Sequence, residues 1–238
     1  MTPVTNDLRT WRDRLARTAG QVLAGELVEA DGLSPARARA VVDMFADEGH
    51  NRPAIVPTFL AWRFNVDDAS APLADDRPDE RAAQIDTGVW RWLAHTRTIG
   101  AAPPPPPPPP PGIDLRSTAG PLVGQGRLAL EVWTEIELCV LHALWHARDR
   151  FPADASISTA RLVAAARWFI EHVQPDNATN HPWAVHVFAW LGVTQRDTEA
   201  EMYAGTLLHN CQVTYGRPDA LSAHILADAA WALRDPNP

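Results

Sequence analysis

The stretch Gln125–Arg148, QGRLALEVWTEIELCVLHALWHAR, decides the fold. At 100° per residue, Glu131, Glu135, His142 and His146 fall within about 60° of one another on a helix. Leu128, Leu138, Cys139 and Trp145 lie on or beside that arc, and Ala129, Trp133, Ile136, Val140 and Ala147 lie opposite. Outside the stripe, the centre of the helix carries one charge, Glu137. A helix apolar on nearly every side is a buried helix. A buried carboxylate or imidazole needs a partner, because desolvation is costly. If the helix is central, its polar stripe faces a cavity, a metal or a hydrogen-bond network. If it lies at the surface, the stripe is its wet side.

The remaining punctuation is helical as well. Leu8, Trp11, Leu15, Val22 and Leu27 mark one face of a long first helix that Asp31-Gly32 ends. Ser34-Pro35 supplies an N-cap and an N1 proline for a second, with Val41, Val42 and Phe45 inward and Gly49 as its stop. A third, less regular apolar run spans 53–68, either a short helix from Pro57 or an extended buried segment, with helix the preferred reading. An acidic loop, Asp67 to Asp79, precedes a helix with Ile85, Val89, Trp92 and Leu93 inward. After residue 124 the pattern gives five helices, near 125–148, 156–173, 182–191, 196–213 and 219–233. Short connections imply antiparallel neighbours. The fold class expected is all-α: stacked antiparallel helical hairpins, solenoid-like or toroid-like in layout. Fold alone does not fix function.

Nine prolines, Pro103 to Pro111, interrupt the chain. They form polyproline II, extending about 28 Å at roughly 3.1 Å per residue. The run is a stiff spacer, a strap across the surface, or a ligand for a partner's aromatic groove. It divides a helical region at 1–100 from another at 125–238, with a linker at 101–124 that is loose to about Gly126.

Composition excludes several chemistries. There is no lysine, so lysine Schiff-base chemistry, a P-loop and a kinase-type ATP site are all ruled out. The net charge is −8 and no arginine cluster offers a cationic face, which argues against nucleic-acid binding. Cys139 and Cys211 form neither a CxxC motif nor a disulfide framework, and read as buried thiols in a reducing compartment. MTPVTNDLRTWRDRL is charged early and lacks the apolar run of a secretory signal. A cytoplasmic protein without a spanning helix is the expectation. Ten tryptophans spread through Ala- and Leu-rich segments suit a core that packs large rings between small helix faces.

Three places gather reactive side chains. The first is the Glu135/His142/His146 stripe. The second is the loop entering the helix at Pro182: Asn180 or His181 caps it, and His181, Trp183 and His186 are set to meet a ligand. The third is Tyr203, His209, Asn210 and Cys211. His142 and His146 are four apart and chelate from one face, but the intervening Ala-Leu-Trp lacks the glutamate of HExxH. Glu-x-x-His pairs of diiron bundles are absent too. No GxSxG supports serine acyl transfer. Glycoside chemistry would need Asp176, Asp197 or Glu199 opposite Glu131 or Glu135. His224 reads as a core or boundary histidine.

The main expectation is a helical scaffold or interaction protein, with Pro103–Pro111 as its partner-binding segment. The alternative is a metal-dependent enzyme. There His142, His146 and His209 hold one divalent ion (zinc, iron or manganese), Glu135 and His186 do the acid–base work, and Asn180, His181, Trp183 and Tyr203 contact the ligand. A carbohydrate-binding or carbohydrate-active protein is the second alternative.

Overall fold

A computed structural model describes residues 7–30, 33–46, 55–66, 85–97, 110–150, 157–175 and 181–234. Gly49, the Asp67–Asp79 loop, Pro103–Pro109, Asp176 and Asn180 lie outside them. The described chain is an all-α bundle. Its helices are α1 Leu8–Ala19, α2 Gly25–Glu29, α3 Pro35–Ala46, α4 Ile55–Phe64, α5 Ile85–Arg97, α6 Leu130–Arg150, α7 Thr159–His172, α8 Val185–Thr194, α9 Thr198–Val213 and α10 Ala220–Ala232. Among the described residues the only β-pairing is an isolated antiparallel bridge, Ile113 to Val123. No helix among them is long and apolar enough to cross a membrane.

Local chemistry sets most boundaries. Side-chain oxygens of Asp7, Ser158, Asp197 and Asp219 cap α1, α7, α9 and α10 by accepting an N–H three residues on. The long first helix expected from sequence is two helices, because the chain turns at Gly20, whose N–H bonds Ala16 O and Thr18 O. The central helix starts at Leu130 rather than Gln125, since Gly126 sits at φ 55°, outside helical space. Pro57 does not start α4 but lies within its first turn, where its missing N–H costs nothing. Pro182 is not the first residue of α8 either: the cap is Ala184, at φ 57°, ψ 10°.

Sequential helices pack on each other (α3 on α4, α4 on α5, α5 on α6, α8 on α9), and α1 packs along α10, joining the two ends of the described chain. Gly192 allows the close crossing of α8 and α9: a Cβ there would lie 2.8 Å from Cβ of Glu201 and 3.0 Å from its backbone. The core is continuous from Trp11 to Leu233. Trp62, Trp90, Trp145, Trp183, Phe59 and Phe188 are among its fully buried rings. Each such ring contributes about 2–3 kcal/mol of burial free energy.

The segment expected to be loose up to Gly126 is instead clamped. Glu137, wholly buried on α6, accepts the N–H groups of Leu122 and Val123, both at 2.6 Å. The indole of Trp133 donates to Val123 O at 2.8 Å. Arg161 on α7 donates to the carbonyls of Asp114 (3.1 Å), Gly120 (2.9 Å) and Pro121 (2.8 Å). One carboxylate and one guanidinium thus satisfy backbone groups of both polarities along a strip whose own pairing is limited to the 113–123 bridge and the 2.7 Å bond from Asp114 N–H to Leu122 O. Burial pushes the Glu137 carboxyl up to about 7 against the pull of those two N–H groups.

Candidate metal centre

The polar stripe of α6 turns inward at its histidines, while Glu131 is exposed and Glu135 half-buried. His142 and His146 are one turn apart on it, and both are buried. Their Nε2 atoms lie 2.9 and 2.8 Å from the same oxygen, Oδ2 of Asp228 on α10. From α8 comes His186, 0% exposed, with its ring centroid 4.3 Å from His142 and 5.7 Å from His146. The three imidazoles offer ligand nitrogens within 4.8 Å of one another: a buried three-histidine set able to hold a divalent ion. Neither nitrogen of His186 has a hydrogen-bond partner, although both are buried.

Aromatic rings wall the cluster. Trp62 and Trp231 lie against His146, at 4.6 and 5.6 Å between centroids. Trp90 and Trp183 contact His142 edge-on at 5.7 and 5.5 Å. This dry surround sets the protonation states. Burial, and then the neighbouring histidines, hold His186 well below the usual imidazole value. Burial lowers His142 as well, against the raising effect of Asp228. Burial would raise Asp228, but the charge of His146 and the bonds from both histidines outweigh it and hold the carboxyl well below its usual value. Burial thus favours neutral rings at His142 and His186 beside an ionised Asp228.

A cleft of about 380 Å³ reaches Asp228 and Trp231 from between α2, the start of α3 and the end of α4. Arg63 and Glu29 also line it. The Arg63 guanidinium is spent on structure: it donates to Leu27 O and Val28 O and meets Nδ1 of His224 at 3.4 Å. His224, boxed between Phe45 and Phe64, is pushed down to about 3 by burial and then by the Arg63 charge. A depressed histidine contributes stability that is present above its unfolded value near 6.5 and is lost as pH falls toward 3. Between pH 7 and 5 this one group should remove about 2 kcal/mol, at 1.36 kcal/mol per unit below 6.5. Urea unfolding at both pH values should show His224→Gln losing that much less than the parent. An unchanged difference would contradict the assignment.

The residues singled out from sequence divide. His142, His146 and His186 converge, and Trp183 helps wall them in. His209 sits exposed on α9, apart from that cluster. Glu135 and His181 pair with each other instead (Oε1 to Nδ1, 2.6 Å), both half-buried, with Asp219 3.9 Å from the far side of the ring. Tyr203 stacks on Phe188 with its hydroxyl buried and unpartnered, and burial raises its pKa. Glu131 and Glu199 are exposed, and Asp197 caps α9.

Sequence reasoning missed Asp228. Its signal was present: Ala220–Ala232 is as apolar as α6 and holds one acid, so the argument applied to α6 applied there too. Comparison with protein-family models, with curated proteins and with solved structures found no match to this chain.

Proposed function

We propose that this chain is a divalent-metal-dependent enzyme, its ion held among His142, His146 and His186, its substrate entering by the cleft that ends on Asp228. His186 carries the proposal. A ring with two buried, unpaired nitrogens costs stability, and an ion bound among the three imidazoles removes that cost. Imidazole donors with a carboxylate beside them suit zinc, iron or manganese. Such an ion polarises a substrate oxygen or lowers the pKa of a bound water, which makes hydrolysis or group transfer the chemistry to screen. A cleft of about 380 Å³ suits a small molecule or a single side chain of a larger one. On this reading His186 is a ligand rather than the base. Glu135, committed to His181 about 10 Å along α6 from His142, stands apart from the ion.

The expected result is a thermal midpoint that rises when zinc, manganese or ferrous iron is added to chelator-treated protein. An ion at 100 times its Kd adds about 2.7 kcal/mol. A midpoint indifferent to all three ions would overturn the proposal.

The scaffold reading keeps one supporting observation, which favours a strap over a partner ligand. Pro110 lies against α5 at Gly88, where a Cβ would meet its ring at 3.5 Å. We also propose a toroid-like stacking of helical hairpins, supported by the packing of sequential helices and of α1 on α10.

A further inference from the structure

We infer that Trp231 is the gate of the metal centre: its ring closes the passage between the cleft and the three histidines, and it swings aside to let an ion or a substrate reach them. The inference rests on the metal-site reading above and concerns how that site is entered.

The three histidines are shut off from solvent. His142 and His186 are wholly buried, and His146 keeps 5% of its surface. None of the three lines the cleft. Among the described residues, two side chains belong to both places. Asp228 lines the cleft and meets Nε2 of His142 and Nε2 of His146 with one oxygen. Trp231 lines the cleft and lies against the His146 ring, with 5.6 Å between centroids and 33° between planes. On either route a single side chain separates the cleft from a histidine.

The two differ in what holds them. Asp228 is 4% exposed, and moving its carboxylate would break two short contacts to histidine at once. Trp231 stands in the last turn of the same helix and is 39% exposed. Among the described residues its indole N–H has no hydrogen-bond partner. Its carbonyl accepts the N–H of Arg234 at 3.1 Å, a backbone bond that side-chain rotation leaves intact. What keeps the ring in place is its packing on His146. The other tryptophan beside that histidine, Trp62, is enclosed: it is 1% exposed and also packs on Trp90.

There is room for the ring to move. The cleft that Trp231 borders, about 380 Å³, is in the range that holds a small-molecule ligand, and an indole can turn into it. A ring without a hydrogen bond, exposed on one side and with space next to it, is a lid made of one residue. Shut, it keeps bulk water from the ion; open, it admits what the site binds.

The test is a rate. The full chain is loaded with one equivalent of zinc, and release to a large excess of a chromophoric chelator is followed by stopped flow. Zinc on exposed histidines such as His172 and His209 is excluded by scoring only the phase missing in His186→Leu. A gate slows entry and exit alike and leaves affinity alone. Trp231→Ala should therefore release zinc about tenfold faster than the parent, equivalent to roughly 1.4 kcal/mol of barrier. It should take zinc up faster by the same factor, with an unchanged Kd. Trp231→Phe should lie between the two, and decides alone if the alanine variant does not fold. Release at the parent's rate, or faster release with unchanged uptake and a weaker Kd, would overturn the gate and leave the metal site standing. A parent that binds no zinc would overturn both.

Discussion

Exchanging His186 for leucine is expected to stabilise the metal-free protein by about 1–3 kcal/mol and to abolish its divalent-ion binding. The His186 ring is completely buried, neutral, and without a hydrogen bond on either nitrogen. Leaving such a group unsatisfied costs about 1–3 kcal/mol. Leucine removes the polar atoms and keeps most of the contact with His142 and Trp145. Were His186 only a core filler, the change would cost stability through imperfect packing. Urea unfolding with excess chelator separates the two by sign. In saturating metal the order should invert, because only the parent gains RT ln(1 + [ion]/Kd). A leucine variant less stable than the parent under chelator would contradict the account. A residue that destabilises the metal-free fold and stabilises the loaded one marks a site retained for binding.

The second large effect belongs to Glu137. Glu137→Ala should lose about 2–4 kcal/mol at pH 7, since it strands the N–H groups of Leu122 and Val123 in the core. Relief of the carboxylate's own burial offsets part of the loss. Glu137→Gln tests the cause. It nearly preserves the shape, keeps one acceptor, and turns an NH₂ toward the second N–H, so it should retain most of the loss. The 113–123 segment should then be cut by protease under native conditions while α6 stays intact. Glu137→Gln at parental stability would mean that packing rather than hydrogen bonding holds the segment. The pH dependence has its own sign. A carboxyl raised to about 7 binds a proton that the unfolded chain releases near 4.5, so its contribution weakens as pH rises between those values. His224 acts in the opposite sense below 6.5.

Much of this was legible in the chain. The 3.6-residue period of α6 put His142 and His146 on one stripe, but left open whether that stripe was a wet face or lined a cavity; the structure buries both histidines. His186 was singled out from a loop that looked built for ligands. What escaped was long-range. Helical periodicity says which side chains share a face, not which face of another helix they meet. Asp228 is 82 residues beyond His146 and joins it only because α10 returns to pack among the other helices. His209 illustrates the converse: it was grouped with His142 and His146 as a metal ligand, but it lies exposed on α9, outside the cluster that His186 completes. Glu137 was noted as the lone charge off the stripe. Its role required knowing that the chain after the proline run doubles back over α6. Helix starts moved for local reasons, at Gly126 and Ala184, where left-handed backbone sets the boundary. Glycine at 126 hinted at that; alanine at 184 gave no such sign.

The most direct test of the metal centre is stoichiometry. Untagged full-length protein and His186→Leu would be dialysed side by side against micromolar zinc, manganese and ferrous iron, and the bound metal measured by elemental analysis. One equivalent in the parent and none above background in the folded variant is the predicted result. Equal metal in both, or none in the parent, would contradict it.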